Sequence, residues 1–224
     1  MNKVRCLILS LCCLTVCNAA VLAQQATAAA NKWEADIKKF EEADRQSAPP
    51  KGVVVFVGSS SIRMWKDLAQ DFSETKVINR GFGGSELADS TYFADRIVTP
   101  YQPRMVVLYA GDNDLAAGKT PQQVFEAYQA FVSRVRAKLP KAKIAYISIK
   151  PSLARVKLME QMRTTNSLIR GYAAKNKNLL FIDVFTPMLN AEGQPRPELF
   201  IKDGLHMTRE GYDIWRKAVA PHLR

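Results

Sequence analysis

Histidine is rare in this sequence, and one of its two histidines stands close to an aspartate. His206 follows Asp203 by three positions, whereas His222 lies near the end of the chain, where we expect a solvated side chain. A carboxylate at this spacing can orient an imidazole and stabilise its cationic form. Because histidine readily exchanges protons near neutral pH, His206 is a candidate general base.

A base of this kind needs a nucleophile, and a run of serines supplies candidates. The segment Gly58–Ile62 reads Gly-Ser-Ser-Ser-Ile and follows an apolar run. A glycine followed by hydroxyl groups at a strand end can present a nucleophile, although such serines more often cap the next helix. The segment differs from the Gly-x-Ser-x-Gly nucleophile elbow, because Ile62 stands where the second glycine would be.

Two further segments could bind negative charge. Residues 79–85 read Asn-Arg-Gly-Phe-Gly-Gly-Ser, and their glycines allow close backbone approach to a ligand. Asn113 lies in a Gly-Asp-Asn-Asp segment and could donate a side-chain hydrogen bond. The carboxylates of Asp112 and Asp114 could also suggest a metal, but no histidine or further acid stands at ligand spacing. Gly118-Lys119-Thr120 resembles the end of a phosphate-binding loop, yet Asn113 stands where that motif requires glycine.

Apolar runs alternate with helical patterns along the chain. This alternation indicates where the candidate serine, glycine, asparagine and histidine segments lie in the fold. Runs typical of buried strands are Val53–Val57, Val77–Asn79, Met105–Tyr109, Ile144–Ile149 and Leu179–Val184. Helices are predicted at Lys32–Gln46, Pro121–Leu139, Ala154–Lys175 and Arg209–Val219. The order predicts a three-layer α/β/α sandwich, flavodoxin-like, with a central parallel sheet of about five strands. Ligands bind at the carboxyl ends of such strands, where the segments above lie.

Taken together, the four segments resemble those of the SGNH hydrolases, also called GDSL esterases. The similarity spans about Val53 to Tyr212. Its most specific part is Asp203-Gly-Leu-His206 with the following Thr208 and Gly211-Tyr212, and the segment around Asn113 comes next. Trp65 matches an aromatic residue that is common in the family seven positions after the first glycine.

The resemblance implies a role for each matching residue. Ser60 takes the place of the nucleophile, and His206 and Asp203 take those of the base and its partner. Ser60 and Gly84, through their backbone N–H groups, and the Asn113 side chain would form an oxyanion hole. Two positions depart from the family pattern, since serine replaces a common aspartate at positions 59 and 85. Ser59 and Ser61 flank Ser60, so either remains an alternative nucleophile.

The implied activity is that of a serine esterase working through an acyl-enzyme, with no metal or organic cofactor. Short acyl esters, such as acetyl groups on a glycan, are the expected substrates, and a lysophospholipid or other lipid ester is the alternative. A non-catalytic binding module with the same fold is a hypothesis from another class, motivated by Ser59. No prediction of oligomeric state follows from the sequence.

The beginning of the chain has the pattern of a secretory signal peptide. Lys3 and Arg5 precede an apolar segment, and small residues lead to Ala23. All four cysteines lie at positions 6, 12, 13 and 17. We therefore expect a signal peptide at 1–23, a polar helix and linker at 24–50 and a hydrolase domain at 51–224. The protein would be exported to the periplasm or secreted, without stable membrane insertion after cleavage.

Composition excludes several other classes. The chain has 224 residues, 47% hydrophobic and 24% charged, which is typical of a globular protein rather than a disordered one. Its net charge is +11. The basic residues are scattered and form no aromatic-interleaved patch, so a nucleic-acid partner is not expected. Expected partners are small-molecule, glycan or lipid esters.

Overall fold

The computed structural model describes residues 32–223, which form a parallel sheet with helices on both faces. The strands are β1 (Val54–Gly58), β2 (Val77–Gly81), β3 (Met105–Tyr109), β4 (Lys143–Ile147) and β5 (Leu179–Ile182). Each strand begins within two residues of the start of a predicted apolar run. β1 and β3 are buried along their whole length, as expected for strands covered on both faces.

The strand order in the sheet is β2-β1-β3-β4-β5, and every neighbouring pair is parallel. β1 is a central strand, and its last residue, Gly58, pairs with Gly81 of β2 and Tyr109 of β3. The carboxyl ends of the three strands therefore lie side by side. The prediction of a three-layer α/β/α fold with five parallel strands is confirmed.

The helices that surround the sheet are numbered in chain order. They are α1 (residues 32–46), α2 (Ser60–Arg63), α3 (Leu68–Asp71), α4 (Leu87–Ile97), α5 (Asp112–Ala116), α6 (Pro121–Lys138), α7 (Met159–Lys175) and α8 (Arg209–Val219). Short 3₁₀ turns lie at Thr99–Tyr101, Leu153–Leu158, Thr186–Met188, Pro197–Leu199 and Ala220–His222. The α6 helix begins with a capping box, in which Thr120 and Gln123 each accept a backbone N–H of the other.

Alternate residues of each strand build two separate halves of the core. Val55 and Val57 of β1 face a cluster that includes residues of α1, α4, α6 and α7. Val54 and Phe56 face a second cluster that includes residues of α2, α3 and α8. This division follows from the two-residue period of a strand. It assigns the helices to two outer layers.

One local prediction is wrong. The helix expected at Ala154–Lys175 begins only at Met159, because residues 153–158 form a 3₁₀ segment in which Arg155 has a non-helical backbone (φ −125°, ψ 27°). The cap of α4 is Glu86, which forms a reciprocal pair with Asp89, and the neighbouring Ser85 hydroxyl donates to the carbonyl of Phe82.

The predicted signal peptide at 1–23 lies outside the described residues, as does the beginning of the predicted 24–50 segment. Among residues 32–223, no helix combines the length and the hydrophobicity needed to span a bilayer. The α1 helix packs onto the rest of the fold through the buried side chains of Trp33 and Ile37.

Candidate active site

The serine segment leaves β1 through a turn that only glycine can make. Gly58 has φ +135°, and a Cβ atom there would lie 1.8 Å from the carbonyl oxygen of Tyr109. The next residue, Ser59, donates its backbone N–H to that same oxygen at 3.0 Å. The chain then turns into α2, and Ser60 becomes the first residue of this helix. A strand-to-helix turn thus places Ser60 at the carboxyl edge of the sheet.

The structure distinguishes the three consecutive serines. Ser59 and Ser61 are buried, with exposed fractions of 0% and 2%. Ser60 is half-buried, and its Oγ lies 2.9 Å from Nε2 of His206. Of the three hydroxyl groups, that of Ser60 is the one that contacts the histidine.

The histidine is held by its own loop, between the Pro197–Leu199 turn and α8. Nδ1 of His206 lies 2.6 Å from Oδ2 of Asp203. The other carboxylate oxygen of Asp203 accepts the backbone N–H groups of Leu205 (2.8 Å) and His206 (2.9 Å). Partial burial by itself raises the pKa of Asp203, but these hydrogen bonds outweigh it and lower the pKa to about 2. Asp203 is therefore a carboxylate at neutral pH.

The glycine turn after β2 lies beside this edge. Gly84 has φ +75°, a conformation that favours glycine, and it is exposed. Within residues 32–223, the backbone N–H groups of Ser60 and Gly84 donate to no protein acceptor. Both are therefore available to a ligand.

Asn113 lies in the first turn of α5, directly after β3. Its Nδ2 donates one hydrogen bond to the backbone carbonyl of Ser85 at 3.0 Å, and its Oδ1 accepts one from Nη2 of Arg155 at 2.8 Å. An amide nitrogen carries two hydrogens, so one hydrogen remains for a ligand. The two contacts fix which end of the amide is the donor.

The two carboxylates that flank Asn113 each pair with a cation. Asp112 accepts a hydrogen bond from Arg155 Nη1 at 2.8 Å, and Asp114 forms an ion pair with Lys119 at 2.9 Å. Asp114 also accepts the backbone N–H of Leu87 at 3.1 Å, which ties α5 to α4. Among the described residues, no group of three or more histidine, cysteine, aspartate or glutamate side chains could hold a metal ion. Both acids that flank Asn113 are thus bonded to neighbouring groups of the chain.

A buried lysine forms a hydrogen bond to the loop that carries His206. Lys150 follows β4, is 1% exposed, and donates from Nζ to the backbone carbonyl of Leu205 at 2.7 Å. Burial lowers its pKa to about 8. The loop between Asp203 and His206 is therefore tied to the end of β4.

Ser60, Gly84, Asn113, Asp203 and His206 were all predicted as site residues, and direct contacts join three of them, Ser60, His206 and Asp203. Sequence reasoning missed Arg155 and Lys150. Arg155 is one of many scattered basic residues in the sequence, and nothing in its local pattern indicates the contact with Asn113. Lys150 had a weak signal, since it is a lone lysine directly after an apolar run of the kind that forms a buried strand.

A serine, a histidine and an aspartate joined by hydrogen bonds at the edge of a sheet are typical of hydrolases with a serine nucleophile. The chain belongs to the GDSL-like lipase/acylhydrolase family, whose sequence model matches residues 56–214. It is a carboxylic ester hydrolase of the SGNH/GDSL type.

Individual relatives are distant. The platelet-activating factor acetylhydrolase IB subunit alpha2 of Rattus norvegicus is 22% identical over 191 residues, which cover 81% of this chain and 79% of that protein. Among solved structures, a GDSL-like lipase from Bacteroides thetaiotaomicron matches with a TM-score of 0.71 and 26% identity, covering 84% of this chain and 97% of the other. A carbohydrate esterase family 3 protein from Talaromyces cellulolyticus matches with a TM-score of 0.62 and 18% identity, covering 76% and 96%.

Proposed function

We propose that the chain hydrolyses short acyl esters, such as acetyl esters on a glycan, with Ser60 as nucleophile and His206 as general base. The observation that carries the proposal is the pair of hydrogen bonds from Ser60 to His206 (2.9 Å) and from His206 to Asp203 (2.6 Å). The first lies within the distance required for proton transfer, and the second orients the ring.

In the acylation step, Oγ of Ser60 attacks the ester carbonyl carbon while Nε2 of His206 takes the hydroxyl proton. The carbonyl π electrons move to the oxygen, which accepts hydrogen bonds from the N–H groups of Ser60 and Gly84 and from Nδ2 of Asn113. When the tetrahedral intermediate collapses, the bond to the alcohol breaks, and the departing oxygen takes the proton from His206. The carboxylate of Asp203 balances the charge of the imidazolium in between.

Deacylation repeats these steps with water in place of the serine. His206 takes a proton from the water as its oxygen attacks the acyl carbon, and the same donors bind the oxyanion. Ser60 leaves with the proton held by His206, and the acid is released. The cycle uses only side chains and backbone groups of this chain.

The printed names of two similar proteins support a short acyl group on a polar alcohol. The rat relative is named an acetylhydrolase, and the fungal structure a carbohydrate esterase.

A lipid ester is the second candidate, and an apolar rim supports it. Leu153, Val156 and Ile201 are 39%, 43% and 41% exposed. Ile201 and Ala154, the neighbour of Leu153, each form a backbone hydrogen bond with Gly204 in the loop between Asp203 and His206. An acyl chain or a lipid surface could cover these side chains.

The nucleophile is tested by labelling the purified protein with a fluorophosphonate, followed by trypsin and fragment mass spectrometry. The tryptic peptide Gly52–Arg63 contains all three serines. We expect an adduct on Ser60 that disappears in Ser60→Ala and in His206→Ala. The matched variants Ser59→Ala and Ser61→Ala should keep it. An adduct on another serine, or none on the folded wild type, would overturn the proposed mechanism.

The acyl group is tested with a series of p-nitrophenyl esters from acetate to palmitate. We expect kcat/KM to be highest for acetate and to fall as the chain lengthens. Highest activity on the long esters would instead favour the lipid candidate. In that case Leu153→Ser should lower activity on the long esters more than on acetate.

We also propose that the protein is exported and that residues 1–23 are removed. This proposal rests on the basic, apolar and small-residue pattern of the sequence. Fractionation of a bacterial host that expresses the full chain, with intact mass of the product, tests it. A cytoplasmic product that retains its first 23 residues would contradict it.

A further inference from the structure

A tryptophan of the N-terminal helix touches the glycine turn of the active site. Nε1 of Trp33 donates to the backbone carbonyl of Gly83 at 2.9 Å, across 50 positions of sequence. Trp33 is 6% exposed and packs edge-on against Phe82, with ring centroids 5.9 Å apart. It lies outside the residues 56–214 that match the family. The contact is therefore not predicted by the family pattern.

The hydrogen bond from Trp33 to the Gly83 carbonyl also orients the backbone N–H of Gly84. The carbonyl of Gly83 and the N–H of Gly84 belong to the same planar peptide group, in which the two bonds point in opposite directions. A donor that fixes the oxygen also fixes the direction of the N–H. Because Gly83 and Gly84 have no side chains, their own backbone dihedral angles restrict this peptide little.

The same bond also affects the strength of the donor. A hydrogen bond accepted by an amide oxygen polarises the amide and strengthens the N–H as a donor. Trp33 thus acts on the Gly84 N–H in two ways, by orientation and by polarisation. Both act on the group that the proposed mechanism assigns to the oxyanion.

The helix that carries Trp33 is firmly attached to the rest of the fold. Arg96 of α4 forms hydrogen bonds to both Glu34 and Glu41 of α1, at 2.6 to 3.0 Å. Asp44 pairs with the buried Arg80. These contacts hold α1 against α4 and the end of β2, so the helix that carries the Trp33 indole is fixed in position.

We propose that Trp33 is a positioning residue for the oxyanion hole, and that α1 is a functional part of the active site. The inference rests on the proposed function, because it assigns the Gly84 N–H to the oxyanion. Trp33 touches no reacting atom and acts through the Gly83–Gly84 peptide. Its effect should appear in the chemical step rather than in substrate binding.

The test compares Trp33→Phe, which keeps an aromatic ring but removes the N–H, with wild type. Replacement of Trp33 by benzothienylalanine, an indole isostere with sulfur in place of N–H, removes the donor with almost no change of shape. Ile37→Val is the matched control, since it perturbs the packing of α1 without touching Gly83. Fluorophosphonate titration counts competent Ser60 sites, so that kcat is expressed per active molecule.

We expect Trp33→Phe and the isostere to lower kcat per titrated site about 5- to 30-fold, with KM and the pH profile unchanged. Ile37→Val should stay within about twofold of wild type in kcat, even where its melting temperature falls. A kcat per site within twofold of wild type in both Trp33 variants would overturn the inference alone, and so would an equal loss in Ile37→Val. Absence of an adduct on wild-type Ser60 would overturn the proposed function and the inference with it.

Discussion

Arg155 donates a hydrogen bond of 2.8 Å to the side-chain oxygen of Asn113, and its second amino group bonds Asp112 at 2.8 Å. The guanidinium thus bridges a buried carboxylate and the amide that is proposed to bind the oxyanion. A cation on Oδ1 draws electron density from the amide and makes Nδ2 a better donor. The strength of Asn113 as a donor in the proposed oxyanion hole therefore depends on Arg155, which is not itself one of the three proposed donors.

This relationship predicts a coupled effect on turnover. Asn113→Ala should lower kcat about 10²-fold or more, because one oxyanion donor is lost. Arg155→Lys keeps the charge but loses the two-pronged geometry, and should lower kcat about tenfold. Steady-state kinetics of the two single variants and the double variant test the coupling. Arg155→Lys should have no further effect once Asn113 is alanine; a full tenfold loss in that background would mean that Arg155 acts independently of Asn113.

Asp203→Asn should lower kcat about 10²- to 10⁴-fold with the fold intact. Asparagine can still accept the backbone N–H groups of Leu205 and His206, but it cannot balance the charge of an imidazolium. Ester turnover and thermal melting of the variant measure the two effects separately.

Asp183→Asn is the matched control for this change. Asp183 also accepts two backbone N–H groups, from Phe185 (2.9 Å) and Thr186 (3.2 Å), but it lies after β5 and does not contact His206. It should keep wild-type turnover. Equal losses of kcat in the two variants would mean that the effect comes from weaker backbone hydrogen bonds in the loops and not from the loss of the carboxylate beside His206.

Lys150 should make the folded state more stable as the pH rises from about 8 to about 10.5. Burial lowers its pKa from 10.5 to about 8. Within this window the unfolded chain holds a proton that the folded chain has released, so the free energy of unfolding rises with pH. Across the window this rise in the free energy of unfolding is on the order of 3 kcal/mol, and Lys150→Met removes it.

The measurement is urea unfolding of wild type and Lys150→Met at several pH values from 7 to 10.5. The difference between the two proteins isolates Lys150 from other groups that titrate. The stability of wild type relative to the variant should rise with pH; a difference that stays constant would show that Lys150 does not release its proton in this range. Loss of the bond to the Leu205 carbonyl should also lower kcat of the variant.

Asp89→Asn should stabilise the protein at neutral pH. Burial raises the pKa of Asp89 from 3.8 to about 6. Between these values the folded chain holds a proton that the unfolded chain has lost, so stability falls as pH rises through the window and the full cost is present above pH 6. Asparagine keeps the acceptor for the Glu86 N–H and avoids the buried charge.

The expected gain is on the order of 1 kcal/mol at pH 7, less than the pKa shift alone implies, because a helix N-terminus favours a carboxylate. Chemical denaturation at pH 7 and at pH 4 measures it. The gain should vanish at pH 4, where wild-type Asp89 is itself protonated in the folded state. A variant less stable than wild type at both pH values would contradict the prediction.

The sequence predicts most of the sheet because the signals are local. Each strand is a short apolar run, and the polar segments at the strand ends fall on one edge once the sheet is parallel. His206 and Asp203 can be paired from their spacing alone. The choice among three serines cannot be made this way, because it depends on which hydroxyl the α2 turn directs outward from the sheet.

The supporting contacts could not be predicted for a different reason. Arg155 reaches Asn113 because residues 153–158 form a 3₁₀ segment with a non-helical backbone at Arg155, and the periodicity of the sequence indicates an ordinary helix there. The link from Trp33 to Gly83 joins residues 50 positions apart. No local pattern specifies which turn a distant tryptophan will meet.

The backbone N–H of Ser59 is bonded to the carbonyl of Tyr109, so the position of the neighbouring residue, Ser60, depends on the position of the sheet. The proposed nucleophile is not carried on a loop that can open and close by itself. Any motion that withdraws the backbone of Ser60 must also strain or break this bond between the ends of β1 and β3. Its mobility is therefore coupled to that of two central strands rather than to that of a separate loop. Exchange of the Ser59 amide hydrogen with solvent would report directly on how long the site stays assembled.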